Sequence, residues 1–142
     1  MMTMNEICKV VIIDDDYTAI EDLKKGLAVY SDMLIKGTAV NGAKGRKMIM
    51  EQRPDLLFLD IELPDMLGIR LLSDMREEVV WDMKVVFYTA YDKYLLQALR
   101  ESAFDYLLKP FTTEELDGII ERYRKAMVTH QVTPSFSASI AA

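Results

Sequence analysis

The sequence predicts an α/β fold with a doubly wound, five-stranded parallel sheet. Short all-apolar runs at residues 9–13 and 56–59 are typical of strands that are buried on both faces, as in parallel sheets. These runs alternate with stretches whose apolar residues recur at helical spacing, and helices are the usual crossovers between parallel strands. Right-handed crossovers place helices on both faces of the sheet, and the simplest strand order is then 2-1-3-4-5.

Strand signals recur along the chain. The predicted strands are residues 9–13, 33–40, 56–60, 84–89 and 104–108. The second strand is weaker than the others and is interrupted by Gly37, which suits the edge of a sheet. The third strand should end at about Asp60, because Pro64 and the residues around it cannot continue a central strand.

A helix is predicted after each strand. The helices are expected to begin after Asp16, at Ala43, after Gly68, near Asp92 and after Thr112. Asp16 is a residue type that caps helix N-termini, and Thr112 with Glu115 has the spacing of a capping box. The apolar positions expected to face the core are Ile20, Leu23, Leu27 and Tyr30, then Ile69, Leu72 and Met75, then Leu95, Ala98 and Leu99, and finally Leu116, Ile119, Ile120, Tyr123 and Met127.

Length and composition indicate one globular domain with a short tail. A domain of residues 1–127 is long enough to bury a hydrophobic core. The chain contains 51% hydrophobic and 28% charged residues, which is an ordinary composition for a globular protein. Residues 128–142 contain no acidic residue, lysine or arginine and carry no helical stripe. We interpret them as a linker or tail that leads to a second domain outside this chain.

The charge and the cysteine content restrict partners and location. A net charge of −6 argues against nucleic-acid binding by this chain's own electrostatics and favours a cation site or a basic protein partner. Cys8 is the only cysteine, so a reducing compartment is expected. Residues 1–6 lack the features of a signal peptide, and nothing approaches the roughly 20 apolar residues of a membrane span. We therefore expect a cytoplasmic protein without membrane contact.

Carboxylates follow two predicted strands at the sheet edge where open α/β sheets bind ligands. Asp14 and Asp15 end the first strand and Asp60 ends the third, and these strands are neighbours in the order 2-1-3-4-5. Three close carboxylates destabilise one another unless a counter-charge is present. Mg²⁺ suits this role, because it binds one or two carboxylates together with waters and phosphate oxygens. The alternative is a helix cap with two solvated loop carboxylates, but the convergence of two clusters favours the metal.

Two further strand ends add a hydroxyl and an ammonium. Thr89 closes the fourth strand, and Lys109 follows the fifth. Together with the carboxylates and a metal, they describe a site for a phosphoryl group on Asp60, because an Asp carboxylate can act as a nucleophile and form an aspartyl phosphate. The metal and the lysine would neutralise charge on the oxygens of the transferred group.

On these residues the sequence resembles the receiver domain of bacterial two-component response regulators, a CheY-like domain of flavodoxin-like topology. The match covers about residues 7–127. The resemblance implies that Asp60 is the phosphoacceptor for a sensor histidine kinase and that Asp14 and Asp15 are the acidic pair. It also implies that Asp15, Asp60 and the backbone carbonyl of Glu62 ligate Mg²⁺, with Asp14 acting through water.

The resemblance assigns the switch residues as well. Thr89 is the switch hydroxyl with Ala90 beside it, Lys109 is the phosphate-binding lysine, and Tyr106 is the switch aromatic, although an aromatic in a last strand is more simply a core residue. The family usually has a cis bond before the next proline, here Pro110. Phosphorylation is expected to move Thr89, turn Tyr106 inward and reshape a dimerisation or output face of helix four, strand five and helix five.

Residues 89–94 and 103–111 are similar to regulators whose output is a LytTR DNA-binding domain. Transcription is therefore the expected output, with DNA contacted only through a domain outside this chain. Glu62 and Tyr91 lie two residues past Asp60 and Thr89. We hypothesise that both hinder an attacking water and give a long-lived phosphoryl group. The alternative is that both are ordinary loop residues, as we expect for Asp65.

Other protein classes fit the sequence less well. A haloacid dehalogenase-type phosphohydrolase also uses an Asp nucleophile with Mg²⁺, but its Asp-x-Asp motif lies on the first major strand, whereas Asp60 follows the third. A flavodoxin-like FMN carrier would place residues 14–16 against the flavin phosphate, and the phosphate-binding glycine loops of a kinase are absent. A stand-alone receiver that acts by protein contact stays open. We therefore predict a regulatory phosphoacceptor, not an enzyme, that catalyses only its own phosphorylation and slow dephosphorylation.

Overall fold

The structure is a computed structural model that describes residues 6–132. The chain divides into two compact units, residues 1–110 and residues 111–142. The predicted boundary at residue 127 falls inside the second of these units. No helix among the described residues is long and apolar enough to cross a membrane.

The helices and strands alternate as predicted. In the first unit they are β1 (Cys8–Ile13), α1 (Tyr17–Leu27), β2 (Met33–Ala39), α2 (Gly42–Gln52), β3 (Leu56–Leu59), α3 (Gly68–Asp74), β4 (Lys84–Thr89), α4 (Leu95–Arg100) and β5 (Asp105–Leu108). The second unit contains α5 (Thr113–Val132). The strand bounds agree with the predicted ones to within one residue, because buried parallel strands have clear apolar limits.

The sheet is parallel and has the order β2-β1-β3-β4-β5, which confirms the predicted fold class. Ile13 of β1 lies opposite Leu59 of β3, and Leu59 lies opposite Phe87 of β4. The C-terminal ends of the three central strands are therefore level, so the residues that follow them meet at one edge of the sheet. The edge strand β2 shifts its register against β1 between Val10 and Val11.

The core lies on the central strands. Every residue of β3 is buried, and so is β1 apart from one partly exposed position. In α1 the predicted residues Ile20, Leu23 and Leu27 are buried, whereas Tyr30 follows the end of the helix. The side chains on both faces of these strands are buried. The strands therefore appear in the sequence as continuous apolar runs and not as an alternation of apolar and polar residues.

One prediction about a buried helix face is wrong. Leu95 and Leu99 of α4 were expected to face the core, but their side chains are 45% and 61% exposed, and the inward residue of the helix is Ala98. Apolar spacing cannot show which side of a short helix faces the sheet when both sides carry leucine. Of the residues predicted for α3, Ile69 and Met75 are buried, and Leu72 is partly buried and packs against the core.

The last helix begins with the predicted capping box. The carboxylate of Glu115 accepts a hydrogen bond from the backbone N–H of Thr112 at 2.9 Å, and the hydroxyl of Thr112 accepts one from the N–H of Glu115 at 3.1 Å. The stripe Leu116, Ile119, Ile120 and Tyr123 is buried, and Met127 is partly buried.

The helix α5 continues beyond the predicted domain boundary. It ends at Val132, so residues 128–132 are helical. Their assignment to a linker stays a prediction. An apolar stripe is not required for a helix to continue, because each added residue extends the backbone hydrogen bonding of the helix itself. The rest of the predicted tail, residues 133–142, lies outside the described residues.

Candidate functional site

Carboxylates from two neighbouring strands meet at the C-terminal edge of the sheet. The N–H of Asp14 donates to the carbonyl of Ala39 in β2, and the N–H of Asp60 donates to the carbonyl of Ile13 in β1, each at 2.9 Å. These bonds extend the sheet by one residue and fix both backbones. Oxygens of Asp14, Asp15 and Asp60 lie within 4.8 Å of one another, as the strand order predicts. Asp14 and Asp60 are buried, and Asp15 is exposed.

Lys109 brings its ammonium group to the two buried carboxylates. Its Nζ lies 2.6 Å from Oδ2 of Asp14 and 3.4 Å from Oδ2 of Asp60. The contact with Asp60 is a hydrogen bond, whereas the shorter contact with Asp14 is an ion pair without hydrogen-bond geometry. Oδ2 of Asp14 is a buried carboxylate oxygen that the Lys109 ammonium contacts, and its two lone pairs allow it a second positive partner. Such an oxygen has capacity left for a cation.

Burial and mutual repulsion control the ionisation of this group. Burial raises the pKa of Asp60 to about 6, the Asp14 charge raises it as well, and Lys109 opposes both. Burial also raises the pKa of Asp14, against the effects of Lys109 and the Asp16 N–H. Burial lowers the pKa of Lys109, but the contacts with Asp14 and Asp60 outweigh it, so this pKa lies above its usual value. The ammonium group therefore stays charged at neutral pH.

The three carboxylates fit a hard divalent cation. All the donors are oxygens, two of the three carboxylates are buried, and the Lys109 ammonium balances only part of their negative charge. Mg²⁺ prefers such a donor set and normally keeps several waters. The backbone carbonyl of Glu62, predicted as a further ligand, stays a prediction.

The strand β4 ends beside the carboxylates with Thr89 and Ala90. Thr89 is fully buried, and its hydroxyl accepts a hydrogen bond from the N–H of Tyr91 at the long distance of 3.4 Å. The N–H of Lys109 donates to the carbonyl of Thr89 at 2.8 Å, which links the ends of β4 and β5. Ala90, the first residue after the strand, is exposed. The peptide bond between Lys109 and Pro110 is cis, as predicted.

Comparison with known proteins decides the family. The profile of the response regulator receiver domain matches residues 10–121. The chain belongs to the response regulator receiver domain family. This receiver domain is 45% identical over 112 residues to an uncharacterized response regulatory protein of Vibrio cholerae, which covers 79% of this chain and 46% of that protein.

Two further comparisons agree with the family. The receiver domain is 38% identical over 117 residues to the transcriptional regulatory protein BtsR of Escherichia coli K12, covering 82% of this chain and 48% of that protein. It thus spans about half the length of the curated relatives it matches. The solved REC domain of AraT, a response regulator from Geobacillus stearothermophilus, superposes with a TM-score of 0.79 at 26% identity, covering 88% of this chain and 98% of that one.

Tyr106 of the receiver domain lies on β5 beside the loop that follows β4. The residue is half-buried, and its hydroxyl donates to the backbone carbonyl of Tyr91. Its ring packs at a tilt against Phe87, with 6.5 Å between the ring centroids. Desolvation, helped by the Asp92 charge, raises the pKa of Tyr106, so the hydroxyl keeps its proton.

Sequence reasoning missed Tyr88, which lies beneath the lysine. The Nζ of Lys109 is 5.0 Å from the centroid of the Tyr88 ring, a cation–π distance. The buried Tyr88 hydroxyl donates to the carbonyl of Ala19 in α1 at 3.0 Å. A polar aromatic inside an otherwise apolar buried strand is the signal that could have identified it.

Sequence reasoning also missed Gly68, the first residue of α3. A Cβ atom at this position would lie 2.1 Å from the backbone carbonyl oxygen of Asp60. The N–H of Gly68 donates to the carbonyl of Ile61 at 2.6 Å, so the helix begins directly against the backbone of Asp60 and Ile61. The sequence signal for this contact is a glycine at the start of a helix. Glycine is often required where another part of the backbone comes too close for a side chain.

Asp65 is more than the ordinary loop residue that the sequence suggested. Its two carboxylate oxygens accept hydrogen bonds from the N–H groups of Gly42 and Ala43 at 2.7 and 3.0 Å. These two bonds lower the pKa of Asp65. The loop after β3 is thereby attached to the N-terminus of α2, a contact between distant residues that local sequence patterns do not reveal.

Glu62 and Tyr91, the predicted modulating residues, belong to one cluster of side chains with Tyr94. The hydroxyl of Tyr94 donates to Oε2 of Glu62 at 2.7 Å, and the rings of Tyr91 and Tyr94 meet edge-on with centroids 6.4 Å apart. The structure therefore brings the two predicted residues together and adds a partner that sequence reasoning missed.

Proposed function

We propose that this receiver domain is a phosphorylation-dependent signalling switch whose Asp60 accepts a phosphoryl group from a sensor histidine kinase. The observation that carries the proposal is a buried Asp60 carboxylate at the sheet edge, with the Lys109 ammonium 3.4 Å away and two further carboxylates close by. A buried nucleophile with a fixed cation and an oxygen-rich cation site is suited to phosphoryl transfer.

The chemistry at Asp60 is a substitution at phosphorus. A carboxylate oxygen of Asp60 forms a bond to phosphorus while the bond between phosphorus and the donor histidine nitrogen breaks, and that nitrogen keeps the electron pair. Lys109 lies where it can neutralise an oxygen of the transferred group. Asp15, Asp60, the Glu62 carbonyl and, through water, Asp14 would hold Mg²⁺, which would supply further neutralisation of negative charge on those oxygens.

The proposed switch begins with Thr89 and ends at Tyr106. The long hydrogen bond that Thr89 accepts leaves its hydroxyl proton available for a phosphoryl oxygen. Movement of Thr89 would displace the following loop, whose Tyr91 carbonyl binds the Tyr106 hydroxyl. Tyr106 then turns inward. Ala90, exposed between these residues, is the point at which the loop can move without breaking core contacts.

The proposed output is homodimerisation that controls transcription. Leucines of α4 and β5 are exposed in the first unit, namely Leu95, Leu96, Leu99 and Leu108, and we propose that they contribute the dimer contact. The contribution of α5 to this face stays a prediction. The name of the relative BtsR, a transcriptional regulatory protein, supports control of transcription, and a LytTR domain beyond this chain is the proposed means of contacting DNA. The alternative is a stand-alone receiver that acts by protein contact.

Intact mass after incubation with acetyl phosphate and Mg²⁺ tests the acceptor assignment. We expect one added phosphoryl group on the wild type, none on Asp60→Asn, and none when EDTA removes the metal. Asp82→Asn, at an exposed carboxylate in the loop before β4, is the matched control and should keep the adduct. Steady release of phosphate without an adduct would instead identify an Asp-nucleophile phosphohydrolase.

A further inference from the structure

Tyr88 of β4 lies in one row with the two buried carboxylates of the site. Leu59 of β3 lies opposite Ile13 of β1 and opposite Phe87 of β4. The residues that follow these three positions are Asp14, Asp60 and Tyr88. Side chains at paired positions of neighbouring strands lie on the same face of a sheet. The tyrosine ring therefore stands beside the two acids at the edge where the site is formed.

The ammonium group of Lys109 contacts all three members of this row. Its Nζ lies 2.6 Å from Oδ2 of Asp14 and 3.4 Å from Oδ2 of Asp60. The same atom lies 5.0 Å from the centroid of the Tyr88 ring. The Lys109 side chain is only 17% exposed, and a ring face attracts a cation more strongly where water is largely excluded. The ring is thus a third partner of the ammonium, on a side that the carboxylates do not occupy.

The hydroxyl of Tyr88 fixes the ring to α1. It donates to the carbonyl of Ala19 at 3.0 Å, and both residues are buried. The same helix also holds Asp14, because the N–H of its N-cap, Asp16, donates to Oδ1 of Asp14 at 2.9 Å. Burial, helped by the neighbouring acids, raises the pKa of Tyr88, so the hydroxyl stays a neutral donor. The helix α1 therefore positions both a carboxylate and the ring that the ammonium contacts.

We propose that Tyr88 is a positioning residue whose ring holds the Lys109 ammonium at the two buried carboxylates, and that this placement speeds phosphoryl transfer. The inference rests on the proposed function and adds a residue to it. Tyr88 itself forms and breaks no bond. An ammonium that is already held at the acceptor can neutralise an oxygen of the transferred group without first having to be ordered.

Fluorination of the ring separates the cation–π contact from packing. Fluorine atoms withdraw electron density from the ring face and weaken its attraction for a cation, while the shape of the ring changes little. Adduct formation with acetyl phosphate and Mg²⁺ is followed by intact mass. We expect Tyr88→Phe, which keeps the ring, to react within about twofold of the wild type. A trifluorinated phenylalanine at position 88, and likewise Tyr88→Leu, should react about three- to tenfold more slowly.

Proton NMR of Lys109 provides a second readout, which does not depend on phosphorylation. Protons above the face of an aromatic ring resonate upfield of their ordinary position. The side-chain signals of Lys109 should therefore lie upfield of those of exposed lysines, and their loss in Lys109→Met identifies them. The upfield shift should persist in Tyr88→Phe and disappear in Tyr88→Leu.

Trp81→Leu is the matched control. The ring of Trp81 also meets a cation, since Cζ of Arg53 lies 4.4 Å from its centroid. Trp81 precedes β4, however, and so lies at the opposite end of that strand from the site. This variant loses a contact between a ring and a cation as Tyr88→Leu does, but its adduct formation and its Lys109 signals should match those of the wild type.

Two results overturn the inference. One is a trifluorinated protein that reacts as fast as Tyr88→Phe, which would make Tyr88 a packing residue only. The other is a set of Lys109 signals that is the same in the wild type and in Tyr88→Leu, which would show that the ring does not meet the ammonium. Thermal unfolding of each variant shows whether it is folded, and the fluorinated ring keeps the volume of the phenylalanine ring.

The two readouts distinguish failure of this inference from failure of the proposed function. If the wild type acquires the adduct and fluorination has no effect, then only the role of Tyr88 is wrong. If the wild type acquires no adduct, then the acceptor assignment is wrong and the role of Tyr88 in the transfer is wrong with it, whatever the NMR signals of Lys109 show about the contact.

Discussion

At the scale of single residues, the ionisation of the site is governed by two buried carboxylates that share the ammonium group of one lysine. Lys109 contacts both Asp14 and Asp60, and the ring of Tyr88 lies 5.0 Å from the ammonium on another side. Burial raises the pKa values of both acids, and the neighbouring Asp14 charge raises that of Asp60 further. The arrangement is therefore less stable without a cation than it would be with neutral side chains.

Replacing the acceptor should consequently stabilise the metal-free protein. The pKa of Asp60 rises from an ordinary value of 3.8 to about 6 on folding. Between these pH values the folded state binds more protons than the unfolded state, so stability falls as the pH rises. We expect Asp60→Asn in EDTA to raise the free energy of unfolding at pH 7 by about 2 kcal/mol and to remove that slope.

Urea unfolding across the range from acid to neutral pH measures this effect. The difference between Asp60→Asn and the wild type should vanish below the ordinary pKa of an aspartate, where both side chains are neutral. Mg²⁺ should stabilise the wild type more than the variant, since a ligand that binds only the folded state raises its stability. A variant that is less stable than the wild type at pH 7 would contradict the charge argument.

At the scale of elements, the loop after β3 is fixed in place by contacts with three other parts of the chain. Gly68 starts α3 against the backbone of Asp60, and Asp65 accepts hydrogen bonds from the first N–H groups of α2. The Tyr94 hydroxyl binds Glu62 in the same loop from the direction of α4. Contacts with α3, with α2 and with Tyr94, the residue before α4, therefore position the residues that follow Asp60.

Substitution of Gly68 tests the close approach of α3. In Gly68→Ala the new Cβ would meet the Asp60 carbonyl at 2.1 Å and Cγ of Leu59 at 3.1 Å, and the first of these is backbone. The helix must therefore shift, and we expect a loss of about 3 kcal/mol in the free energy of unfolding, as for strong overpacking. Phosphorylation by acetyl phosphate should also slow, because Asp60 is displaced.

The matched control for Gly68→Ala is Gly118→Ala in α5. There the nearest atoms to a new Cβ belong to the guanidinium of Arg122, at 3.2 Å, at the end of a flexible side chain. Alanine is the better helix former, so this variant should be as stable as the wild type or slightly more stable. Urea unfolding compares the two variants, and an equal loss in both would show that the Asp60 contact is not the cause.

At the scale of the whole molecule, the described surface combines acidic character with an apolar patch. The chain has a net charge of −6, yet α4 and β5 expose leucines on the first unit. Leu96 and Leu99 are 60% and 61% exposed. Such a patch is unfavourable in water and is typical of a surface that binds another protein. The exposed leucines of α4 come directly after the loop that follows β4 in the sequence, and this is the loop that the proposed switch would move.

We predict that a phosphoryl mimic converts the protein to a homodimer through this patch. Sedimentation velocity with beryllofluoride and Mg²⁺ should show dimer formation by the wild type. Leu99→Ser should weaken it by about tenfold, because one large apolar contact is lost from each copy. Phosphorylation of this variant should be unchanged, since Leu99 does not touch the acceptor site. An unaltered sedimentation coefficient of the wild type would contradict the proposed output.

The sequence by itself determined the sheet and the residues at its edge. Continuous apolar runs specify buried parallel strands, and the strand order then brings Asp14, Asp15 and Asp60 together without knowledge of any side-chain contact. Thr89 and Lys109 follow from the same reasoning. Strand ends are local features of the chain, and the level register of a parallel sheet converts them into neighbours.

Only the tertiary structure decided which helix faces are buried and which loops touch. Ala98 and not Leu99 faces inward, because the packing of α4, and not its composition, selects between two apolar sides. The bonds from Asp65 to α2 and from Tyr94 to Glu62 join residues 22 to 32 positions apart in the chain. Such contacts depend on how loops are placed by the packed elements, and that placement is not encoded in any short segment.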